Sequence, residues 1–225
     1  MPKSPGPMNQ GKNLGEVKLT TFADVGMEFP LFAAPIEDAI VDEPGECSHC
    51  GNESELLFND SCYACFRSGK GSHTVDTEYG MVRPEDAING CTHGIPLNPS
   101  NLPDLPLVAH AVDPKFPNEH WYSVQFAAAD LIELTRTPTY HTWQGERWLF
   151  CCTKPSIFLG CLDTEKLEVL AAEESTSKEA TIASLLSITE DKTKWMLRAI
   201  EEDRGGLYLF RCQSCSRLRA HFDME

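Results

Sequence analysis

The sequence predicts an α+β protein in which a small cysteine-bearing module packs with an antiparallel sheet that is flanked by helices. Two observations support this fold class. Two Cys-x-x-Cys pairs lie close together in the N-terminal half, as in small metal-stapled modules. In the C-terminal half, short apolar runs with strand character alternate with segments of helical periodicity.

Composition divides the chain into four parts. Residues 1–21 are rich in Pro, Gly, Asn and Lys, which predicts a disordered tail. Residues 22–94 hold the first cysteine module with its N-terminal segment. Residues 95–126 form a proline-rich connector in which long regular elements are not expected. Residues 127–225 form an α+β module with a second cysteine cluster.

The first cysteine cluster consists of CSHC (47–50) and CYAC (62–65), separated by a short segment. Two such turns complete the tetrahedral four-sulfur shell that zinc prefers, and the second pair is expected to open a short helix. This arrangement predicts a zinc knuckle in a treble-clef-like module. The alternatives are two disulfides, a redox pair or free thiols. The predicted structural zinc ligands are Cys47, Cys50, Cys62 and Cys65.

Two helices are predicted before the C-terminal strands. PEDAING (84–90) has Pro84 at its first turn and a glycine at its end. AAADLIELTR (127–136) places its apolar side chains on one face, and Pro138 stops it.

The C-terminal part then predicts alternating strands and helices. RWLFCC (147–152) and SIFLGC (156–161) have the composition of strands around a Pro155 turn. Thr176 and Glu179 have the spacing of a capping box at the start of a helix. The last predicted elements are a helix over KWMLRAIEED (194–203), ended by Gly205-Gly206, and an antiparallel pair over LYLFRC (207–212) and LRAHFD (218–223).

A second cysteine cluster is predicted around CQSC (212–215), which has the position of a knuckle at a hairpin tip. Cys151 and Cys152 end the strand that could lie beside it. Neighbouring strand residues point to opposite faces, so three zinc ligands are easier to assemble than four without a bulge. The alternative is buried thiols that pack as small apolar groups. Candidates for a fourth ligand are Cys161, His141 and His221.

An aromatic and polar cluster around Arg136 suggests a binding surface, because Trp, Tyr and Arg are favoured at binding hot spots. The alternative is that at least one of the two tryptophans, Trp143 or Trp148, fills the core. The predicted binding residues are Arg136, Tyr140, Trp143 and Gln144.

The charge balance limits the classes of partner. With 19 Lys and Arg against 34 Asp and Glu, the net charge is −15. Such a chain is poorly suited to binding nucleic acid and better suited to a basic protein, although plain solubility also explains the charge. No secretory signal and no run of eighteen apolar residues is present, so we expect a cytoplasmic protein without a membrane partner.

Three blocks resemble a known family: RTPTYHTWQGERWLFCC (136–152), LYLFRCQSC (207–215) and AHFD (220–223). They are similar to the CbrC family, bacterial proteins named for a colicin-tolerance member. CSHCG and CYACFRSG (47–69), DTEYGMV (76–82) and THG (92–94) resemble one branch of it.

The resemblance implies two cysteine clusters and no established enzymatic reaction. Its second cluster corresponds to Cys152, Cys212 and Cys215, but a further family cysteine falls on Ser156 here. The adjacent Cys151 is a candidate replacement.

These patterns favour a non-enzymatic, zinc-stabilised protein that gives tolerance or immunity to a toxin, such as a bacteriocin or nuclease, by binding a basic partner. No nucleotide-binding or nucleophile motif is present. A zinc-dependent scaffold or regulator of other proteins is one alternative. An uncharacterised hydrolase that pairs acidic residues with histidines is the other.

Overall fold

The computed structural model describes residues 20–225, so residues 1–19 of the predicted tail lie outside the described part. The first two described residues already contact the folded chain. The Ile36 N–H donates to the Thr20 carbonyl at 2.9 Å, and Thr21 forms a bridge with Pro35. The side chain of the next residue, Phe22, is buried.

The N-terminal module has the order knuckle, hairpin, helix, which confirms the treble-clef-like prediction. The knuckle lies between two antiparallel strands, the hairpin turns at Asn59 and Asp60, and the helix follows directly. Both turn residues have positive φ, 51° and 59°, as a two-residue type I′ turn requires. The elements are β1 (Gly45–Glu46), β2 (Glu53–Ser54), β3 (Leu57–Phe58), β4 (Ser61–Cys62) and α1 (Tyr63–Arg67).

The middle of the chain consists of short strands and one predicted helix. That helix, α2, has Pro84 at its first position, as expected. The proline-rich connector contains short strands: it forms a three-stranded antiparallel sheet in the order β7-β9-β8. Pro96 lies in the edge strand β7, where a missing N–H is tolerated. The elements are β5 (Val75–Thr77), β6 (Gly80–Val82), α2 (Pro84–Ile88), β7 (Ile95–Pro96), β8 (Leu107–Ala109) and β9 (Trp121–Val124).

The predicted helix near Pro138 is α3 (Ala128–Leu134). Two strands around a turn at Pro155 were expected, but this segment forms three strands. They are β10 (Phe150–Cys151), β11 (Lys154–Pro155) and β12 (Ile157–Leu162). The turn is made by Cys152 and Thr153, whose φ values are 52° and 60°. Pro155 belongs to β11 and pairs with Phe150.

The C-terminal part contains one helix that the sequence pattern did not predict, α4 (Thr164–Glu173), which begins where the Asp163 side chain accepts the Lys166 N–H at 2.7 Å. Helix α5 (Lys178–Leu186) is capped by Ser177 and not by Thr176, since the Ser177 hydroxyl accepts the Ala180 N–H.

Helix α6 (Lys194–Glu201) forms as predicted. The following glycines do not end it: they begin β13 (Gly205–Arg211), which pairs with β14 (Leu218–Met224). Gly205 and Gly206 are closely covered by the Phe222 and Tyr208 rings, respectively, which leave no room for a Cβ.

The central sheet has the antiparallel order β12-β13-β14 and separates two hydrophobic clusters. One cluster lies under α4, α5 and α6 and includes Leu167, Ile182 and Leu207. The other is aromatic and joins Phe22, Phe58 and Phe66 of the N-terminal part to residues of the sheet. No helix of the described chain is long and apolar enough to cross a membrane. The fold thus places one cysteine cluster at the N-terminal module and the other at the end of the central sheet.

Candidate metal centres

The first tetrad is built by the knuckle and by the start of α1. In the knuckle, the Cys47 N–H donates to the Asn52 carbonyl and the Gly51 N–H to the Cys47 carbonyl, both at 2.9 Å. Gly51 has a φ of 73°, in the left-handed region that closes the turn. Cys62 and Cys65 lie one helical turn apart, so both sulfurs face the knuckle.

The four sulfur atoms of this tetrad have the spacing of a tetrahedral metal site. They all lie within 4.8 Å of one another, and the Cys50 and Cys62 sulfurs are 3.8 Å apart. Zinc–sulfur bonds of about 2.3 Å in tetrahedral geometry place sulfurs roughly 3.8 Å from one another. This distance fits a shared metal ion and is far longer than a disulfide bond.

The backbone favours negative charge at one sulfur of the first tetrad. The Cys62 N–H donates to Cys47 Sγ at 3.2 Å, and this hydrogen bond is the main cause that lowers the pKa of Cys47 to about 6. Burial and the three neighbouring sulfurs raise the pKa of Cys65 to about 12. Four thiols this close cannot all ionise without a cation, so the site is matched to a divalent metal ion.

The second tetrad joins the β10–β11 turn to the knuckle between β13 and β14. Its sulfurs also lie within 4.8 Å of one another. Cys151 Sγ is 3.8 Å from Cys215 Sγ and 3.9 Å from Cys152 Sγ. The N–H groups of Ser214 and Cys215 both donate to Cys212 Sγ at 3.4 Å.

Cys151 and Cys152 both reach this tetrad, contrary to the expectation from strand alternation. Cys151 is the last residue of β10, whereas Cys152 is already in the type I′ turn, where alternation of faces no longer applies. All four cysteines predicted for the second cluster thus lie together, and strand alternation does not limit the site to three sulfur donors. Ser156, where the resemblance implies a cysteine, is buried and its carbonyl accepts the Trp148 Nε1–H at 2.8 Å.

The three other candidates for a fourth ligand have different surroundings. His221 Nε2 contacts the Tyr140 hydroxyl at 2.9 Å, Cys161 lies opposite Tyr208 in the sheet, and the His141 N–H donates to the Asp38 carbonyl at 3.1 Å. None of the three belongs to a metal-capable group among the described residues.

The electrostatics of the second tetrad parallel those of the first. At Cys212, burial acts to raise the pKa, but the hydrogen bonds from the Cys215 and Ser214 N–H groups outweigh it and lower the pKa to about 6. Burial and the neighbouring sulfurs raise the pKa of Cys151 to about 12. Each tetrad therefore contains one sulfur whose pKa is lowered, Cys47 or Cys212, and one whose pKa is raised, Cys65 or Cys151.

The predicted binding residues do not all lie at the surface. Tyr140 is 1% exposed, and its hydroxyl donates to the Arg147 carbonyl at 2.6 Å, so its side chain packs in the core and does not reach a binding surface. Trp148 is also buried, whereas Trp143 is 47% exposed and Gln144 is exposed. Arg136 is half-buried, and its carbonyl accepts a hydrogen bond from Arg67.

Sequence reasoning missed the side chain that holds the Trp143 loop in place. The N–H groups of Trp143 and Gln144 both donate to Asp223 Oδ2, at 2.8 and 2.9 Å. Asp223 is 7% exposed. The signal was present, since an acidic residue on a strand between apolar neighbours needs a buried partner.

Comparison with known proteins finds a family match in the C-terminal half of the chain. Residues 107–224 match the family described as Uncharacterised protein family (UPF0167). A UPF0167 protein of Pseudomonas aeruginosa is 34% identical over 103 residues, which cover 44% of this chain and 53% of that protein. The match thus spans about half the length of the curated relative. No solved structure matches the chain. The chain belongs to the uncharacterised protein family UPF0167.

Proposed function

We propose that this chain is a non-enzymatic binding protein that is stabilised by two structural zinc ions. The observation that carries the proposal is the pair of cysteine tetrads, each with its sulfurs at the spacing of a tetrahedral site. All-sulfur donor sets with this geometry favour zinc or iron–sulfur chemistry over harder cations. Knuckles that supply backbone N–H groups to the sulfurs are typical of structural zinc sites.

The same geometry argues for a structural and not a catalytic role of the metal. Four thiolates saturate the tetrahedral shell, and a catalytic zinc site keeps one position open for water or substrate. None of the ten cysteines, all in the described part of the chain, forms a disulfide, which suits a reducing compartment. We therefore propose a cytoplasmic location.

The first module supports a basic partner. Residues 20–66 contain no Lys or Arg, so every Asp and Glu in this range adds uncompensated negative charge. Five of these acids are exposed on and around the knuckle and hairpin. Complementary charge accelerates association with a basic protein and selects against acidic ones. The five are Glu43, Glu46, Glu53, Glu55 and Asp60.

The class of partner follows from the resemblance to the CbrC family. Since that family is named for colicin tolerance, we propose that the partner is a basic toxin, such as a nuclease bacteriocin. Binding to the acidic module would keep the toxin from its nucleic acid, whose backbone the module imitates in charge.

Metal content tests the zinc proposal. Protein purified without chelator is expected to hold two zinc ions per chain, and Cys65→Ser or Cys215→Ser should each lower the ratio to one. Cys161→Ser is the control, because this half-buried thiol lies outside both tetrads. A ratio that stays unchanged in both tetrad variants, or iron in place of zinc, would refute the assignment.

Binding to basic nuclease toxins tests the partner. We compare the wild type with a variant that carries Glu→Lys at Glu43, Glu46, Glu53 and Glu55. The matched control makes four Glu→Lys changes at exposed positions of α4 and its C-cap, at Glu165, Glu168, Glu173 and Glu174.

The proposal expects salt-sensitive binding that the first variant loses and the control keeps, together with survival of toxin-treated cells that express the wild type. Absence of both binding and protection across such toxins would reject the toxin partner, while the zinc result would stand by itself.

A further inference from the structure

A cleft of about 390 Å³ runs along the outer edge of β14. Four consecutive residues of this strand line it, Arg219 to Phe222. Consecutive strand residues point to opposite faces of a sheet, so all four can line one cleft only where it follows the edge of the strand. The cleft is therefore a groove at the edge of the central sheet.

This edge is free of a neighbouring strand. In the described chain β14 is the last strand of the order β12-β13-β14 and pairs with β13 alone. The Cys212 N–H donates to the Arg217 carbonyl at 2.9 Å, and the register continues from that pair. Because hydrogen-bonded and non-hydrogen-bonded pairs alternate, the N–H and C=O groups of Ala220 and Phe222 point away from β13, into the groove.

The C-terminal end of the edge is closed. The Met224 N–H donates to Asp223 Oδ1 at 2.8 Å, and Gln144 Nε2 donates to the Met224 carbonyl at 2.9 Å. Side chains thus occupy the outward groups at Met224, and the His221 ring interacts with the Phe222 main chain. Among the described residues, no side chain hydrogen-bonds to the outward N–H and C=O groups of Ala220. A further strand can be added to an edge strand only where its outward N–H and C=O groups have no partner.

The two walls of the groove differ in character. On the side of α5 and α6 the wall is apolar, with Leu186, Ile188 and Met196 beside Trp195. Trp195 is 50% exposed, and its ring meets Phe222 edge-on with centroids 5.2 Å apart.

On the opposite side the wall carries two arginines and Glu78. Arg219 is held by both carboxylate oxygens of Glu78, at 3.0 and 2.5 Å. Arg147 is exposed, and no ion pair of the described residues includes it. Its charge acts on Asp76, whose pKa it lowers against the larger effect of burial. An entering strand would thus meet an aromatic wall on one face and a cationic side chain on the other.

We propose that this groove binds an extended peptide segment of a partner protein, which adds to β14 as a fourth strand. Its main chain would hydrogen-bond to the N–H and C=O groups of Ala220 and to the Phe222 N–H. Its side chains would alternate, apolar ones against Trp195 and acidic ones toward Arg147. This mode takes affinity from the main chain and specificity from alternate side chains. The groove is separate from the acidic knuckle and prefers the opposite charge.

The test uses two labelled hexapeptides, one alternating Val and Glu and one alternating Val and Lys, with the full chain in its zinc-loaded form. Fluorescence anisotropy is expected to show saturable binding of the Glu peptide. Trp195→Ala should weaken it about tenfold, the effect of losing an aromatic anchor. Trp121→Ala is the matched control, because Trp121 is 39% exposed and does not line the groove. Arg147→Glu should reverse the preference between the two peptides.

Hydrogen exchange distinguishes strand addition from side-chain contact. The amides of Ala220 and Phe222 are expected to exchange more slowly when the Glu peptide is bound. Ala220→Pro removes the outward-facing N–H of Ala220, and an edge strand tolerates proline at such a position. This variant should fold but lose peptide binding. Peptide binding without protection of these amides would overturn strand addition. So would absence of binding at millimolar peptide, or equal losses in Trp195→Ala and Trp121→Ala.

Discussion

Glu146 and His73 are ionisable side chains that face each other inside the protein. His73 Nε2 lies 3.6 Å from Glu146 Oε1, and the His73 ring stacks on Phe66. Burial raises the pKa of Glu146 to about 8 and lowers the pKa of His73 to about 4. Both side chains are thus neutral near pH 7, because the cost of leaving water exceeds the attraction of an ion pair at this distance.

The stability of the protein should therefore depend on pH through Glu146. Between pH 4.5 and 8 the folded state keeps a proton that the unfolded state releases, so this residue makes stability fall as pH rises. His73 acts in the opposite direction, but only between pH 4 and 6.5. Above pH 6.5 Glu146 acts alone within this pair.

Glu146→Gln imitates the protonated acid and removes this effect. We expect the wild type to lose up to about 1.4 kcal/mol per pH unit relative to Glu146→Gln from pH 6.5 to 8. Urea unfolding of both proteins over this range measures the difference, and the cysteine thiols, common to both, cancel. A difference independent of pH would show that Glu146 is ionised in the fold.

At the scale of elements, the start of α5 shows how local signals compete. Thr176 and Glu179 have the spacing of a capping box, but the Ser177 hydroxyl accepts the Ala180 N–H at 3.1 Å. The Thr176 N–H donates back to the Ala171 carbonyl and so closes the end of α4. Because Thr176 belongs to the end of α4, a helix that the sequence pattern did not predict, the N-cap of α5 moves from Thr176 to Ser177.

Two substitutions test whether Ser177 or Thr176 caps α5. Ser177→Ala should lower the free energy of unfolding by about 1 kcal/mol, since an N–H at the helix start loses its acceptor. Thr176→Ala should change it much less. Urea unfolding of both variants measures the effects, and a larger loss in Thr176→Ala would restore the capping box.

At the scale of the whole molecule, one aromatic core connects the parts that composition separates. The Phe32 and Phe158 rings are 5.1 Å apart across the predicted boundaries. Arg67 of α1 binds both carboxylate oxygens of Glu133 in α3, at 2.7 and 3.0 Å. The predicted modules 22–94 and 127–225 therefore share a core.

This shared core predicts that the C-terminal part does not fold alone. A fragment of residues 127–225 would expose the aromatic face around Phe158, which the N-terminal part covers. We expect circular dichroism and dye binding to show a collapsed state without fixed packing, even with zinc, while residues 20–225 unfold cooperatively. A fragment with a cooperative transition would establish an independent domain.

Sequence alone determined the elements whose signals are local. The treble-clef-like order follows from the Cys-x-x-Cys spacing, because a knuckle and a helix start are each set by a few neighbouring residues. The same holds for α2, α3, α6 and the last two strands, where proline, apolar periodicity and alternation agree.

Tertiary structure decided what depends on residues far apart in the chain. The four sulfurs of the second tetrad meet because left-handed φ angles at Cys152 and Thr153 end strand alternation, and because β13 carries Cys212 beside that turn. Tyr140 and Trp143, three residues apart, differ in exposure because one packs on the sheet and the other lies in a loop held by Asp223. The open edge of β14 is likewise a property of strand order, which no local pattern in the sequence encodes.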